Sequence, residues 1–198
     1  MEQFWNLRYS EDGFAYGEQP NVFFAQQINK LQKGSIILPC EGEGRNAVYA
    51  ASLGWRANAL DTSEVGKIKA MALAKKNNVN IDYIIADINS VSYPENSVDV
   101  VAFIYAHFAP ESRIDIHRKA IGWLKKGGRI ILEAFNVLQL QNNSGGPKNI
   151  SQLYTEKLLL DDFKSLKIEL LQTEQTELQE GKYHVGKADI IRFIGVKI

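Results

Sequence analysis

Five apolar runs punctuate the chain: SIILP at 35–39, RANAL at 56–60, DYIIA at 82–86, SVDVVAFI at 97–104 and GRIILEAF at 128–135. Their Val and Ile content, without strict apolar and polar alternation, predicts strands buried on both faces. Amphipathic stretches lie between them. Asn21, after Pro20, caps a helix with Phe24, Ile28 and Leu31 on one face, and Gly34 ends it. GRNAVYAASLG (44–54) sets Ala47, Val48 and Ala51 at helical spacing. Ser63 caps a further helix with Val65, Ile68 and Ala72 turned inward and Lys75 and Lys76 at its C-terminal end. From Glu111 to Lys126 a helix runs on Ile116, Ala120 and Leu124 until Gly127 and Gly128 stop it, with His117 expected at the surface between Asp115 and Arg118. This alternation predicts an α/β fold, a mostly parallel sheet with helices on both faces.

After residue 135 the rhythm changes. The segment 136–149, NVLQLQNNSGGPKN, is polar and long enough to form a lid or pocket wall. A helix over 155–163 follows, then strand-like segments at 166–177 and 187–197. No long helix separates these two, so they are expected to pair as an antiparallel hairpin. The chain reads as one domain over 1–198, with an N-terminal cover and helix over 1–33 and the sheet core over 34–198.

Charge removes several function classes. Lys plus Arg number 23 and Asp plus Glu 23, leaving no net positive field for a nucleic-acid backbone. No apolar run is long enough to cross a bilayer, and MEQFWNLRYSEDG has neither the basic nor the apolar region of a leader, so a cytoplasmic protein with no membrane partner is expected. Cys40 is the only cysteine and the three histidines are scattered, a poor basis for a disulfide or a metal site. Monomer and homodimer both remain open.

The candidate chemistry sits in ILPCEGEGRNAV, residues 37–48, where a buried strand meets a helix through a glycine turn. Gly42-x-Gly44-x-x-Ala47 has dinucleotide spacing, and Asp61, 17 residues after Gly44, stands where a ribose-binding acid belongs. Yet Glu41 and Glu43 flank Gly42 and would repel a pyrophosphate. A ligand without phosphates fits better. S-adenosylmethionine offers a ribose, a cationic ammonium and sulfonium for the acids, and one carboxylate for the helix amides. Asp87, after the third run, is placed to accept from the adenine amino group, with Ile88 packed on the ring. FIYAHF delivers Tyr105 and His107 to the same sheet edge.

At these residues the chain resembles the class I S-adenosylmethionine-dependent methyltransferases, and within them the tellurite-resistance type. EGEGRNAVYAASLGW resembles motif I, ALDTS the ribose segment with Asp61 and Thr62, ADI the adenine segment, and LKKGGRIILEAF the turn into the fifth strand. RYS and FAYGEQPNVFF near the N-terminus, and GGPKN, LYT and EGKYHVGKADIIRF near the C-terminus, extend the likeness over nearly the whole chain. The resemblance implies a single Rossmann-like domain, a seven-stranded sheet with an antiparallel C-terminal strand. Cys40 stands where the common loop has its first glycine and Leu38 where it has an acid, so Glu41 or Glu43 is expected to take over the ammonium contact.

The expected cofactor set is therefore Cys40, Glu41, Gly42, Glu43, Gly44, Asn46, Asp61, Thr62, Asp87 and Ile88, with Cys40 a small buried filler rather than a nucleophile. His107 and Tyr105 are the candidate catalytic pair, although a histidine merely satisfied by hydrogen bonds reads equally well. Tyr9 and Tyr16 in the N-terminal cover, Tyr154, and His184 in the hairpin loop are the candidate substrate contacts. The expected reaction moves a methyl group from S-adenosylmethionine to a small-molecule acceptor such as a thiol or a tellurium or selenium oxyanion, releasing S-adenosylhomocysteine. The alternatives are a nicotinamide-dependent oxidoreductase and a non-catalytic S-adenosylmethionine-binding module.

Overall fold

The computed structural model describes residues 2–198. Seven strands form one sheet in the order β3-β2-β1-β4-β5-β7-β6: β1 (Ser35–Pro39), β2 (Arg56–Asp61), β3 (Asp82–Ile85), β4 (Val98–Ile104), β5 (Leu124–Phe135), β6 (Leu166–Glu180) and β7 (His184–Lys197). β1 to β5 pair in parallel, and β7 runs antiparallel to both β5 and β6. This is the expected fold class. The chain reverses between β1 and β4, which opens a crevice at the carboxyl ends of the strands.

Every residue of β1 is buried. Ile36 and Leu38 join one core, and Ile37 joins the other. The first core lies under α2 (Val22–Ile28), α3 (Arg45–Ser52) and α4 (Glu64–Lys76); the second lies under α5 (Pro110–Trp123) and α6 (Glu156–Asp162). Two-sided burial explains why β1, β4 and β5 lack an alternating pattern, whereas β3, expected to be buried on both faces, is an edge strand with Ile84 and Ile85 each 42% exposed. The expected caps are present, Asn21 accepting from the Phe24 N–H and Ser63 from Gly66, and Thr155 caps α6 by accepting from Leu158.

Four further expectations need correction. The inward face of α4 is Gly66, Ala70, Leu73 and Ala74, whereas Ile68 is 69% exposed and Ala72 is exposed. The reason is backbone proximity: a Cβ on Gly44 would stand 2.5 Å from the Ala70 methyl, and one on Gly66 would stand 2.9 Å from the Gly42 carbonyl oxygen. Size, not hydrophobicity, selects the face that meets the glycine turn. Helix α5 stops at Trp123, and Leu124 begins β5 rather than extending the helical stripe. His117 is fully buried, bonded through Nδ1 to Asp162 at 2.9 Å and stacked on Phe163. The N-terminal cover contains a helix, α1 (Glu2–Tyr9), that packs on α4.

The hairpin is longer than expected, its last pair being Glu180 and His184 around a turn at 181–183. Ala70→Leu should therefore cost about 1–3 kcal/mol by overpacking against the glycine turn, whereas Ile68→Ala should stay within about 0.5 kcal/mol of the parent. Urea denaturation of the two variants checks this difference.

Candidate functional site

The crevice is a cavity of about 770 Å³ lined by the carboxyl ends of β1 to β5. Two segments far apart in sequence cover it. From one side come Trp5, Arg8, Tyr9 and Tyr16, and from the other Lys182, Tyr183 and His184 at the hairpin tip. They are joined to each other: the Lys182 N–H donates to the Ala15 carbonyl at 2.9 Å, the Tyr183 hydroxyl donates to Glu11, and the Arg8 guanidinium lies 4.0 Å from the centre of the Tyr183 ring.

The glycine turn is built around its acids. Cys40, Gly42 and Gly44 take positive φ (57°, 58° and 86°), curling the chain so that Glu41 faces back toward the start of α3. Glu41 Oε1 accepts from the N–H groups of Asn46 at 2.8 Å and Ala47 at 2.7 Å. The protein's own carboxylate thus occupies the helix N-terminus, the place expected to receive the ligand's carboxylate. Glu43 turns the other way, accepting from the Ala15 N–H at 2.7 Å and from Lys69 Nζ at 3.0 Å. Both acids hold protein, which leaves only their remaining lone pairs for the expected ammonium contact. Cys40 is not a buried filler: its side chain is open to the cavity. Desolvation and the nearby Asp61, Asp87 and Glu41 push its thiol far above the ordinary range, which keeps it unreactive.

At the end of β2, Asp61 accepts from the Gly42 N–H through Oδ2 and from the Ser63 N–H through Oδ1, both at 3.0 Å. A carboxylate has about four lone-pair sites, so each oxygen keeps an acceptor position toward the cavity. Thr62 stands beside it. After β3, Asp87 is exposed and closes a local turn by accepting from the Asn89 N–H at 2.8 Å, while Ile88 is buried behind it. All four line the cavity, as do Cys40, Glu41, Glu43 and Asn46.

The catalytic and substrate candidates separate. Tyr105 lines the cavity with φ 52°, its hydroxyl donating to Glu133 Oε1 at 3.0 Å. His107 also lines it, but both ring nitrogens are engaged: Nδ1 with the Gln152 carbonyl at 2.8 Å, and Nε2 with the Phe135 N–H at 3.3 Å. Burial pushes its pKa down to about 4. A neutral ring with no free nitrogen is a brace between loops. Tyr9, Tyr16 and His184 line the cavity. Tyr154 does not: it is 1% exposed and donates to the Ala106 carbonyl at 3.3 Å, because the isolated bridge of Asn136 with Tyr154 carries its ring into the core.

Several site residues escaped the sequence reading. Arg45, in the first turn of α3, is 7% exposed and pairs with Glu180 at 2.9 Å. Asn21 donates to Glu133 at 2.5 Å and to Glu180 at 3.2 Å, and Glu133 accepts from Arg192 Nε at 2.6 Å. Arg8 meets aromatic rings and donates to the Tyr16 hydroxyl at 3.0 Å; among the described residues no carboxylate forms an ion pair with it. The pairing of Glu180 with His184 around the EGKYH turn was the one legible signal, since both ends of a tight hairpin must meet.

Burial pushes the Glu41 carboxyl up to about 7, from an ordinary 4.5, even against its two amide bonds. The folded state then binds this proton more tightly than the unfolded chain, so stability should fall as pH rises from 4.5 to about 7. Glu43 and Asp61 shift the same way through burial. Glu41→Gln, which keeps an acceptor for the helix, should remove roughly 2 to 3 kcal/mol of that pH dependence. Denaturant titrations at several pH values measure it.

Comparisons with known proteins bear on this site. Residues 38–128, which hold the glycine turn, Asp61, Asp87 and His107, match the family described as "Methyltransferase domain". No curated protein sequence matches the chain. Three solved structures share its fold. One, described for the conversion of a disulfide bond into a thioacetal group during echinomycin biosynthesis, superposes with TM-score 0.76 at 14% identity over 100% of this chain and 92% of its own. TehB from Haemophilus influenzae gives 0.74 at 18% over 100% and 67%. A SAM-dependent methyltransferase from Methanosarcina mazei gives 0.66 at 17% over 91% and 99%. Residues 38–128 thus resemble a methyltransferase domain, and the chain has the fold seen in S-adenosylmethionine-dependent methyltransferases.

Proposed function

We propose that the protein transfers the methyl group of S-adenosylmethionine to a small-molecule acceptor bound in the covered cavity. The observation that carries this reading is the Glu41 carboxylate on the N–H groups of Asn46 and Ala47. A carboxyl group already fills the position a pyrophosphate needs and takes its amide donors, which disfavours a nicotinamide dinucleotide. The residues fit a phosphate-free nucleoside. The open acceptor positions of Asp61 suit ribose hydroxyls, with Thr62 beside it; Asp87 and Ile88 suit the adenine edge and face. Cys40 and Asn46 line the cavity and stand closest to the cofactor; Gly42 and Gly44, expected there as well, lie behind the lining against Tyr9 and Ala70 and give the turn its shape, which Glu41 and Glu43 hold.

With the helix amides taken, Arg8 is the group we assign to the cofactor's carboxylate. When bound, S-adenosylmethionine supplies a methyl group already activated by the positive sulfur. The chain's own task is alignment and exclusion of water, worth several kcal/mol. Trp5, Tyr9, Tyr16 and the hairpin tip close the cavity over the reactants, and the 145–148 segment forms the acceptor's mouth. The cavity is large enough for the nucleoside and a small acceptor together. The sequence resemblance to the tellurite-resistance type suggests a tellurium or selenium oxyanion, and a thiol fits the same space.

Asp61→Ala should weaken S-adenosylhomocysteine binding by about 1–3 kcal/mol, the cost of losing charge-assisted hydrogen bonds. Calorimetry on the wild type and the variant measures this. Methyl transfer to a panel of thiols, selenite and tellurite, read as S-adenosylhomocysteine release, tests the activity itself; absence of cofactor binding by the wild type would contradict it.

A further inference from the structure

His184 stands out because, unlike His107, it keeps one ring nitrogen free. Its Nδ1 lies 3.1 Å from Glu180 Oε2, and it has no other hydrogen bond to the described residues. Its ring lines the cavity although the residue is only 5% exposed, and Nε2, which makes no hydrogen bond, lies along the Gly145 backbone at the cavity wall, 3.1 Å from where a Cβ on Gly145 would stand. The ring is gripped on all sides. Tyr16, Tyr105 and Phe135 lie 4.4, 4.5 and 5.2 Å away between ring centres, and a Cβ on Gly145 would stand 2.6 Å from His184 Cδ2.

Glu180 is held in turn by Arg45 at 2.9 Å and Asn21 at 3.2 Å. Its hydrogen bonds to His184 and Arg45 and the positive charge of Arg45 keep its carboxyl down to about 2 against burial, so it is an anion that can only accept. An obligate acceptor at Nδ1 places the ring proton there and leaves the lone pair on Nε2.

We propose that His184 is the general base of this site, oriented by Glu180, and that the acceptor is therefore a neutral O–H or S–H nucleophile. This rests on the methyl-transfer reading above. In the step, the acceptor's O–H or S–H bond breaks and its proton passes to Nε2. The electron pair left on oxygen or sulfur forms the bond to the methyl carbon, and the pair of the breaking carbon–sulfur bond stays on sulfur. The products are the methylated acceptor, S-adenosylhomocysteine and an imidazolium whose charge faces Glu180. A preformed oxyanion would need no such base.

Burial lowers the His184 pKa while Glu180 raises it and Arg45 and Arg8 lower it; Tyr16, Tyr105 and His107 complete the titratable groups around it. The net direction is downward, leaving the ring neutral at neutral pH.

The test combines three measurements on wild type, His184→Asn and Glu180→Gln. Nitrogen-15 NMR of the ligand-free wild type should show His184 protonated on Nδ1 and bare on Nε2. S-adenosylhomocysteine calorimetry should give affinities within about twofold for all three proteins, which also controls for folding. Methyl transfer to a phenol and thiol panel should fall roughly 10²–10⁴-fold in kcat for His184→Asn, and Glu180→Gln should shift the pH profile. An Nε2–H tautomer, or His184→Asn turnover matching wild type with intact cofactor binding, overturns the base assignment alone. Cofactor binding by the wild type with turnover only on preformed oxyanions overturns the acceptor class, and no cofactor binding overturns the underlying reading.

Discussion

The carboxylate of Glu41, bonded to the first free amides of α3, is the contact on which the rest of the site depends. A helix N-terminus carries unsatisfied N–H groups and a partial positive charge, and in many nucleotide-binding folds a phosphate completes it. Here the chain completes it alone. Doing so requires the loop to double back within a few residues, hence the positive φ at Cys40, Gly42 and Gly44, and it requires α4 to present Gly66 and Ala70 where bulkier residues would clash. The same loop presents the Gly42 N–H to Asp61, fixing the acid that faces the nucleoside site.

A second layer of charge ties the cover to this loop. Glu43 holds Ala15 and Lys69, and Lys69 donates to the carbonyls of Glu11 and Gly13. Arg45, the residue after Gly44, reaches the Tyr16 carbonyl and Glu180. The N-terminal segment, glycine turn and hairpin tip thus share one polar network, with buried members that need one another to avoid unpaired charge. That network surrounds the cavity and sets the orientation of His184.

Much of this fold was legible in sequence because local chemistry announced it. Strands buried on both faces read as continuous apolar runs, and Asn21 and Ser63 cap as their side chains dictate. What was illegible depended on distant partners. His117 sits beside charged neighbours in sequence, but Asp162, 45 residues away, gives it a buried partner. The α1 helix leaves Phe4 and Leu7 exposed and is held by Asn6 accepting from Ser63 and Tyr9 packing under Gly42, neither visible in its own periodicity. The acids of the turn stood out in sequence, but their partners within the fold, backbone amides and Lys69, were not legible there.

The most direct measurement of the central claim is a calorimetric comparison of S-adenosylhomocysteine with NAD and ADP on the wild type and on Glu41→Ser. The account predicts binding of S-adenosylhomocysteine alone by the wild type, and weak affinity for ADP emerging only once the helix terminus is vacated. Binding of either phosphorylated ligand by the wild type as tightly as S-adenosylhomocysteine would contradict it.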